Sequence, residues 1–362
     1  MTQPLIVDAH EDLAWNILVL GRDYTRSVEE TRKLEQGTAT IERNGNTLLG
    51  WPEYQRGRVA VVFATLFASP KRRVLGDWDT QSYADFDQAR RLYIAQMDRY
   101  RTLADDHDDK FRLISTTSDL EDVLSHWDTD QESHPVGITI LMEGAEGVRS
   151  PAELDEWWER GVRTIGLAWA GTRYCGGTRE PGPLTDEGRE LLAAMAEIGF
   201  TLDISHMDPL SALQALDTYP GAVIASHANA AALLAGYDGN RQLPDTVIQG
   251  LIDRGGIVGV VPFCRFLLNG WRVDNGRETI SLATLANHID HVCQLAGDAR
   301  HVGLGTDFDG GFGVEHAPSD VDTIADMQNL GPVLAGRGYS DSDIAAILGG
   351  NWLEHLERTL PE

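Results

Sequence analysis

Short apolar runs alternate along the chain with longer stretches whose apolar residues recur every three to four positions. Eight runs read as strands: Leu5–Val7, Val59–Phe67, Val136–Met142, Thr164–Ala168, Phe200–Ile204, Ala222–Ala225, Ile257–Val261 and Val302–Gly305. Several are nearly continuous in β-branched and apolar residues, as strands covered on both faces should be. Helical periodicity predicts helices over Tyr83–Asp106, Ala152–Arg160, Asp186–Ile198, Leu210–Asp217, Asp245–Arg254, Ser281–Ala296, Val321–Ala335 and Asp341–Leu356. Thr185 and Ser340 stand where N-caps belong, and Asp186 and Glu187 add acids to a first turn. This alternation predicts an α/β fold, a (β/α)8 TIM-like barrel with one closed parallel sheet inside a ring of helices. A single domain over 1–362 is expected. Two stretches break the rhythm, 20–58 and 262–280, each following a strand and therefore expected over the C-terminal mouth, where long loops carry function.

Charge narrows the function classes. Acids number 56 against 30 bases, a formal charge of −26, and lysine occurs only as Lys33, Lys71 and Lys110. A field of that sign repels nucleic acid and anionic membrane, so neither is an expected partner. It also fits a protein adapted to high salt, where counterions screen self-repulsion; unfolding on dialysis to low salt is the corresponding expectation. No apolar run approaches the ~20 residues that cross a bilayer. No basic segment followed by an apolar stretch opens the chain, and its last residues are a charged helix end. Three cysteines without a C-x-x-C pair, Cys175, Cys264 and Cys293, fit a reducing compartment. The expected location is cytoplasmic.

The candidate chemistry collects at predicted strand ends. His10 and Asp12 are two apart, so in extended backbone they point the same way and can share one ion. Imidazole with carboxylate suits a borderline divalent metal such as zinc. Glu143 directly follows an apolar run, where a carboxylate is costly unless paired or bound to a cation. Two successive strands finish in Ser-His, at Ser205-His206 and Ser226-His227. The eighth run leads to Asp307, whereas Asp309-Gly310 reads as turn chemistry and Glu146 as a solvated loop acid. Three histidines and three carboxylates at one barrel mouth can hold two divalent ions, with one carboxylate bridging and one left for proton transfer. His107, His126, His134 and His316 read as loop residues, His288, His291 and His355 as helical, and His301 as lying at the wrong end of the barrel.

Six motifs in order resemble the membrane (renal) dipeptidase family of zinc peptidases, within the amidohydrolase superfamily. They are Asp8-Ala9-His10-Glu11-Asp12-Leu13, Glu143-Gly144, Asp203-Ile204-Ser205-His206, Ala225-Ser226-His227, Gly305-Thr306-Asp307-Phe308-Asp309-Gly310 and Gly349-Gly350-Asn351-Trp352. The resemblance implies one zinc on His10, Asp12 and Glu143, and a second on Glu143, His206 and His227. It implies Asp307 as acid/base partner of a hydroxide bridging the two zinc ions. By the same likeness Arg241 clamps the substrate carboxylate, a task for which a planar fork of donors is suited. Trp169 stands where mammalian members carry a substrate-contacting histidine; indole donates one hydrogen bond and cannot titrate. The segment that follows offers Arg173 or Tyr174 as a replacement contact.

The expected activity is therefore hydrolysis of small dipeptides, those with a C-terminal D-residue included, by an enzyme for which the resemblance implies a homodimer. Two other readings use the same residues: an amidohydrolase acting on another amide, lactam or N-acyl amino acid, and a non-catalytic relative that binds metal.

Overall fold

The computed structural model describes residues 3–129, 131 and 133–362. Eight parallel strands form the barrel: β1 (Ile6–Glu11), β2 (Val59–Phe67), β3 (Val136–Glu143), β4 (Val162–Gly166), β5 (Thr201–Asp203), β6 (Val223–Ile224), β7 (Val258–Val260) and β8 (Val302–Leu304). Their order around the sheet is β6-β5-β4-β3-β2-β1-β8-β7. The ring closes through a parallel bridge between Ala225 and Val258, with Ala225 N–H donating to the Ile257 carbonyl at 2.9 Å and Gly259 N–H to the Ala225 carbonyl at 2.8 Å. Glycine is required at this seam. A Cβ on Gly259 or Gly305 would lie 1.8 Å from the Ser226 carbonyl oxygen.

The strands stand on the apolar runs that predicted them, and every residue of β1, β2 and β3 is buried. Inside, Val7, Ala9, Phe63, Leu141 and Ile224 cluster with Trp352 of the last helix. The Trp352 indole donates to the Leu304 carbonyl at 2.9 Å, and Gly303 leaves room for its ring.

Four local differences from the expected elements have identifiable causes. Residues Phe111–Ile114 form a further strand paired with β3 outside the ring, followed by a helix over Thr117–Trp127. The strand is four residues long and only its two end residues are fully buried, so its apolar signal is weak. The first long helix starts at Phe86, not Tyr83, because the Asp85 side chain accepts from Gln88 N–H and caps it there. The stretch 321–335 enters through tight 3₁₀ turns at Ile324–Asn329 before the helix Leu330–Ala335. The helix predicted over Asp341–Leu356 is interrupted by a π-helical turn at Ala346–Gly350. That wide turn brings Gly349 against β1, where a Cβ would meet the Leu5 carbonyl at 2.6 Å.

The stretch 20–58 is not bare loop. It carries helices Val28–Glu35, Ala39–Asn44 and Trp51–Gly57 and is tied to the segment after β8 through Arg32–Asp322 and Asn46–Glu315 contacts. The three cysteines are buried and unpaired.

Candidate metal centre

The chemical side chains at the mouth are delivered by five different strands. His10 is the penultimate residue of β1 and Asp12 lies just past its end; Glu143 is the final residue of β3. His206 and His227 follow β5 and β6, and Asp307 follows β8. His206 and Asp307 take left-handed backbone, at φ 64° and 57°. That conformation is uncommon for residues with a Cβ and is held here by the surrounding bonds; Asp307 N–H, for one, donates to the His10 carbonyl at 3.1 Å.

The six residues converge. Glu143 divides its carboxylate: Oε1 lies 3.1 Å from His206 Nε2 and 3.4 Å from His227 Nε2, while Oε2 faces His10 Nε2 at 3.8 Å. Three overlapping sets, His10–Asp12–Glu143, Glu143–His206–His227 and His10–His227–Asp307, each bring their ligand atoms within 4.8 Å of one another. His10 and His227 stack at 3.6 Å between ring centroids.

The hydrogen-bond network shows that this set fits a cation. Ser226 Oγ spends its proton on Asp203 Oδ2, so toward His227 Nδ1, 2.8 Å away, it can only accept. Thr178 Oγ1 likewise donates to the His206 carbonyl and lies 2.9 Å from His206 Nδ1. Ser226 therefore leaves the His227 proton on Nδ1, and a Thr178 proton directed to the carbonyl, 3.4 Å away, leaves the His206 proton on Nδ1 as well. Their Nε2 lone pairs then face each other at 2.9 Å beside the Glu143 carboxylate, an arrangement that a positive ion relieves. The buried Nε2 of His10 also has no hydrogen-bond partner. Burial pushes all three histidines well below their usual pKa, with Arg241 adding to the shift, which keeps them in the neutral form that binds metal. Burial pushes Glu143 and Asp307 well above the carboxylate range, and the Asp12 carboxylate raises both further.

Behind the ligands, two buried carboxylates lock neighbouring strands. Asp8 accepts from the Thr306 amide at 2.7 Å and from its hydroxyl, tying β1 to β8. Asp203 accepts the Ser205 and Ser226 amides, both at 2.9 Å, and so fixes the residues preceding both histidines. Thr65 donates to Asp12 from β2. Asp8 and Asp203 stand inside the motifs quoted above, yet only the folded register assigns them this buttressing task.

The site opens into a cavity of about 1360 Å³ whose wall includes Asp12, Glu143, Trp169, His206, Arg241 and Asp307. Residues Phe263 to Asp274 contribute much of the far wall, and no residue of 20–58 is among its lining. Arg241 is buried; its Nη2 donates to the His227 carbonyl at 2.9 Å, while Nε and Nη1 have no protein partner. Phe266 lies under its guanidinium at 5.0 Å. Trp169 is half-buried between Phe67 and His206, at 5.2 and 6.1 Å between ring centroids.

Three assignments made from sequence are corrected. Asp309 is more than turn chemistry: it does stand in a turn, with left-handed backbone at φ 63°, but it is fully buried, ion-paired with Arg22 and bonded to Tyr24, Thr47 and Leu48. Glu146 is not a solvated acid but is buried beside Arg173, whose amide it accepts at 3.4 Å. Arg173 and Tyr174 do not reach the cavity: the Arg173 guanidinium is spent on the Val148 and Arg149 carbonyls, and the Tyr174 hydroxyl on Val148. From that segment it is Thr178, Arg179 and Pro181 that line the cavity. Thr178 and Arg179 form the two-residue turn of an antiparallel hairpin, Cys175–Gly177 with Glu180–Leu184, a signal that lay in its Gly-Gly and Pro-Gly-Pro punctuation.

A neutral-histidine and carboxylate cluster at the C-terminal mouth of an eight-stranded barrel defines a metal-dependent hydrolase. Within that class the chain belongs to the membrane dipeptidase family, peptidase family M19, whose family model matches residues 1–359. Among relatives, it is 27% identical over 83% of its length to the dipeptidase verJ of Clonostachys rogersoniana, covering 73% of that protein. It is 31% identical to an uncharacterized dipeptidase of Schizosaccharomyces pombe over 60% of its length, spanning about half (53%) of that relative. The fold matches a metallo peptidase from Rhodobacter sphaeroides solved with a phosphinate mimic of L-Ala-D-Ala, at TM-score 0.78 and 21% identity over 99% of this chain and 100% of the other. It also matches the M19 dipeptidase AC at TM-score 0.78 and 22% identity over the whole of both chains.

Proposed function

We propose that the protein is a dipeptidase that uses two divalent metal ions, zinc in the first instance, to hydrolyse small dipeptides, including those ending in a D-residue. The observation that carries this is the divided Glu143 carboxylate, one oxygen turned to His206 and His227 and the other to His10. His10, Asp12 and Glu143 would hold one ion, and Glu143, His206 and His227 the other. Bound there, the ions supply Lewis-acid polarisation of the scissile carbonyl and an acidified water as nucleophile.

The chain's own groups do the rest. Asp307, with Oδ1 4.0 Å from His10 Nε2 and its side chain open to the cavity, takes the proton of the attacking water and returns it to the leaving amine. Arg241 offers its unpartnered Nε and Nη1 to the substrate's C-terminal carboxylate. Trp169 and Phe67 give an apolar wall that orients a side chain without titrating. The D-residue in this reading is supported by the ligand of the Rhodobacter sphaeroides relative.

The test is elemental analysis of purified protein together with hydrolysis of a panel of L,L- and L,D-dipeptides, with and without chelator. About two metals per chain, as a binuclear site requires, and chelator-sensitive cleavage are expected. Metal-loaded protein that cleaves no dipeptide would sink the proposal. Arg241→Ala should lower kcat/KM on dipeptides by about tenfold or more; a hydrolysed substrate lacking a free carboxylate and indifferent to that change would point to other amides.

A further inference from the structure

The chain is strongly acidic, yet the cavity wall carries arginines that no acid neutralises. Among the described residues, Arg179, Arg265 and Arg272 line the cavity and are exposed, and none makes an ion pair; Arg73, also in the wall, is paired with Glu180. Two acids, Asp238 and Asp274, share the rim without pairing any of the three. The remaining acids of the wall, Asp12, Glu143 and Asp307, belong to the metal centre.

Arg179 is the one held in a defined place. It is the second residue of the two-residue turn joining Cys175–Gly177 to Glu180–Leu184, and its backbone is left-handed at φ 63°. That conformation is disfavoured for a residue with a Cβ. The turn is fastened on three sides. Thr178 N–H donates to the Trp169 carbonyl at 3.0 Å, and Thr178 Oγ1 lies against His206. Arg179 N–H donates to Asn240 Oδ1 at 2.9 Å. Asn240 is itself fixed, donating to the Gly177 carbonyl at 2.9 Å and to Asp208 at 2.8 Å, and it directly precedes Arg241. Two arginines of the wall are therefore coupled through one asparagine: Arg241, with two unpartnered donors, and Arg179, without an acid partner, both lining the same cavity.

We propose that Arg179 is a specificity-determining residue that reads a second carboxylate, so that the preferred dipeptides end in aspartate or glutamate. This rests on the reading of Arg241 as the clamp for the C-terminal carboxylate. One amino acid then presents two carboxylates to two adjoining arginines, and Arg265 and Arg272 add attraction at the entrance, where a cleft of one sign concentrates oppositely charged substrate. An asparagine in place of the aspartate keeps shape and loses charge, so it isolates the contact.

The experiment has a catalytic and a binding arm, both on the metal-loaded protein. The first compares kcat/KM for dipeptides of one N-terminal residue ending in Asp, Asn or Ala. The second measures calorimetric binding of free aspartate against free asparagine. Preference for Asp over Asn by about tenfold or more is expected in both, the scale of a charge-assisted hydrogen bond. Arg179→Ala should bring both ratios close to one, and Arg179→Lys should keep part of them. Equal ratios in the parent protein, or ratios that Arg179→Ala leaves intact, overturn the proposal. Cleavage of the Ala- and Asn-ending peptides with no preference for Asp removes this inference and leaves the dipeptidase reading standing. Aspartate-selective binding that depends on Arg179, with no dipeptide cleaved, keeps the inference and removes that reading.

Discussion

Arg22 and Asp309 form an ion pair with Nη1 2.9 Å from Oδ2 and both side chains fully buried. It joins the stretch after β1 to the loop after β8, two residues from Asp307. The Asp309 carboxylate also accepts from Tyr24 and Thr47 hydroxyls and the Leu48 amide, so its lone pairs are filled. Arg22→Ala would leave that carboxylate buried without its cation. A loss of about 3–5 kcal/mol is expected, read as a lower urea midpoint, with activity falling further than the unfolded fraction explains because Asp307 loses its support. A midpoint unchanged from the parent would refute the role of the pair.

Gly310 is held small by the site. A Cβ there would meet Asp307 Oδ1 at 2.0 Å and Asp12 Oδ2 at 3.0 Å. Gly310→Ala should therefore displace the Asp307 carboxylate. We expect kcat to fall by about tenfold or more, beyond what any loss of folded protein explains, since a misplacement on the order of 1 Å can cost about a hundredfold. Parent-like kcat would show that Asp307 has room to retreat without consequence.

Thr178 fixes the tautomer of His206 from outside the ligand set, at 2.9 Å from Nδ1. Thr178→Val removes the oxygen and keeps the shape. Such supporting partners are worth about 10- to 100-fold in metal affinity, and that weakening is the expected result in a competition titration against a chelator. Thr178→Ser should recover most of it. Affinity equal to the parent in the valine variant would mean that the imidazole is oriented by packing alone.

Two histidines away from the site predict acid sensitivity. Burial lowers His355 to about 3 and His288 to about 4, from an ordinary value of 6.5. Ala230 N–H donates to His288 Nδ1 at 3.2 Å, a bond that needs the unprotonated nitrogen. The unfolded chain takes up these protons first, so the stability they allow is complete above pH 6.5 and is lost as pH falls toward the folded values. Each histidine should cost about 2 kcal/mol at about pH 5. His355→Leu should shrink the difference between urea midpoints measured at neutral pH and at about pH 5. A difference as large as the parent's would show that other groups govern it.

The resemblance pointed to His10, Asp12, Glu143, His206, His227, Asp307 and Arg241 as one set, and the fold brings them to one mouth. For the first six, local signals were enough because each follows a buried apolar run and a strand end fixes its direction; Arg241 lies in a loop and was indicated by the resemblance alone. Asp309 and Glu146 were misread for the opposite reason. Asp-Gly and Glu-Gly look alike in a turn and in a core, and only Arg22, Tyr24 and Thr47, some 260 to 290 positions away, make the first a buried anchor.

The sequence by itself determined the alternation of strand and helix, the candidate ligand types and their order, because these depend on periodicity and on residues within a few positions. Tertiary structure alone decided which carboxylate divides between the histidines, which nitrogen each imidazole presents, and that Thr178 and Arg179, rather than Arg173 and Tyr174, face the cavity. Those outcomes depend on hydrogen bonds between strands and turns far apart in the chain. Their geometry exists only once the barrel has closed at Ala225 and Val258.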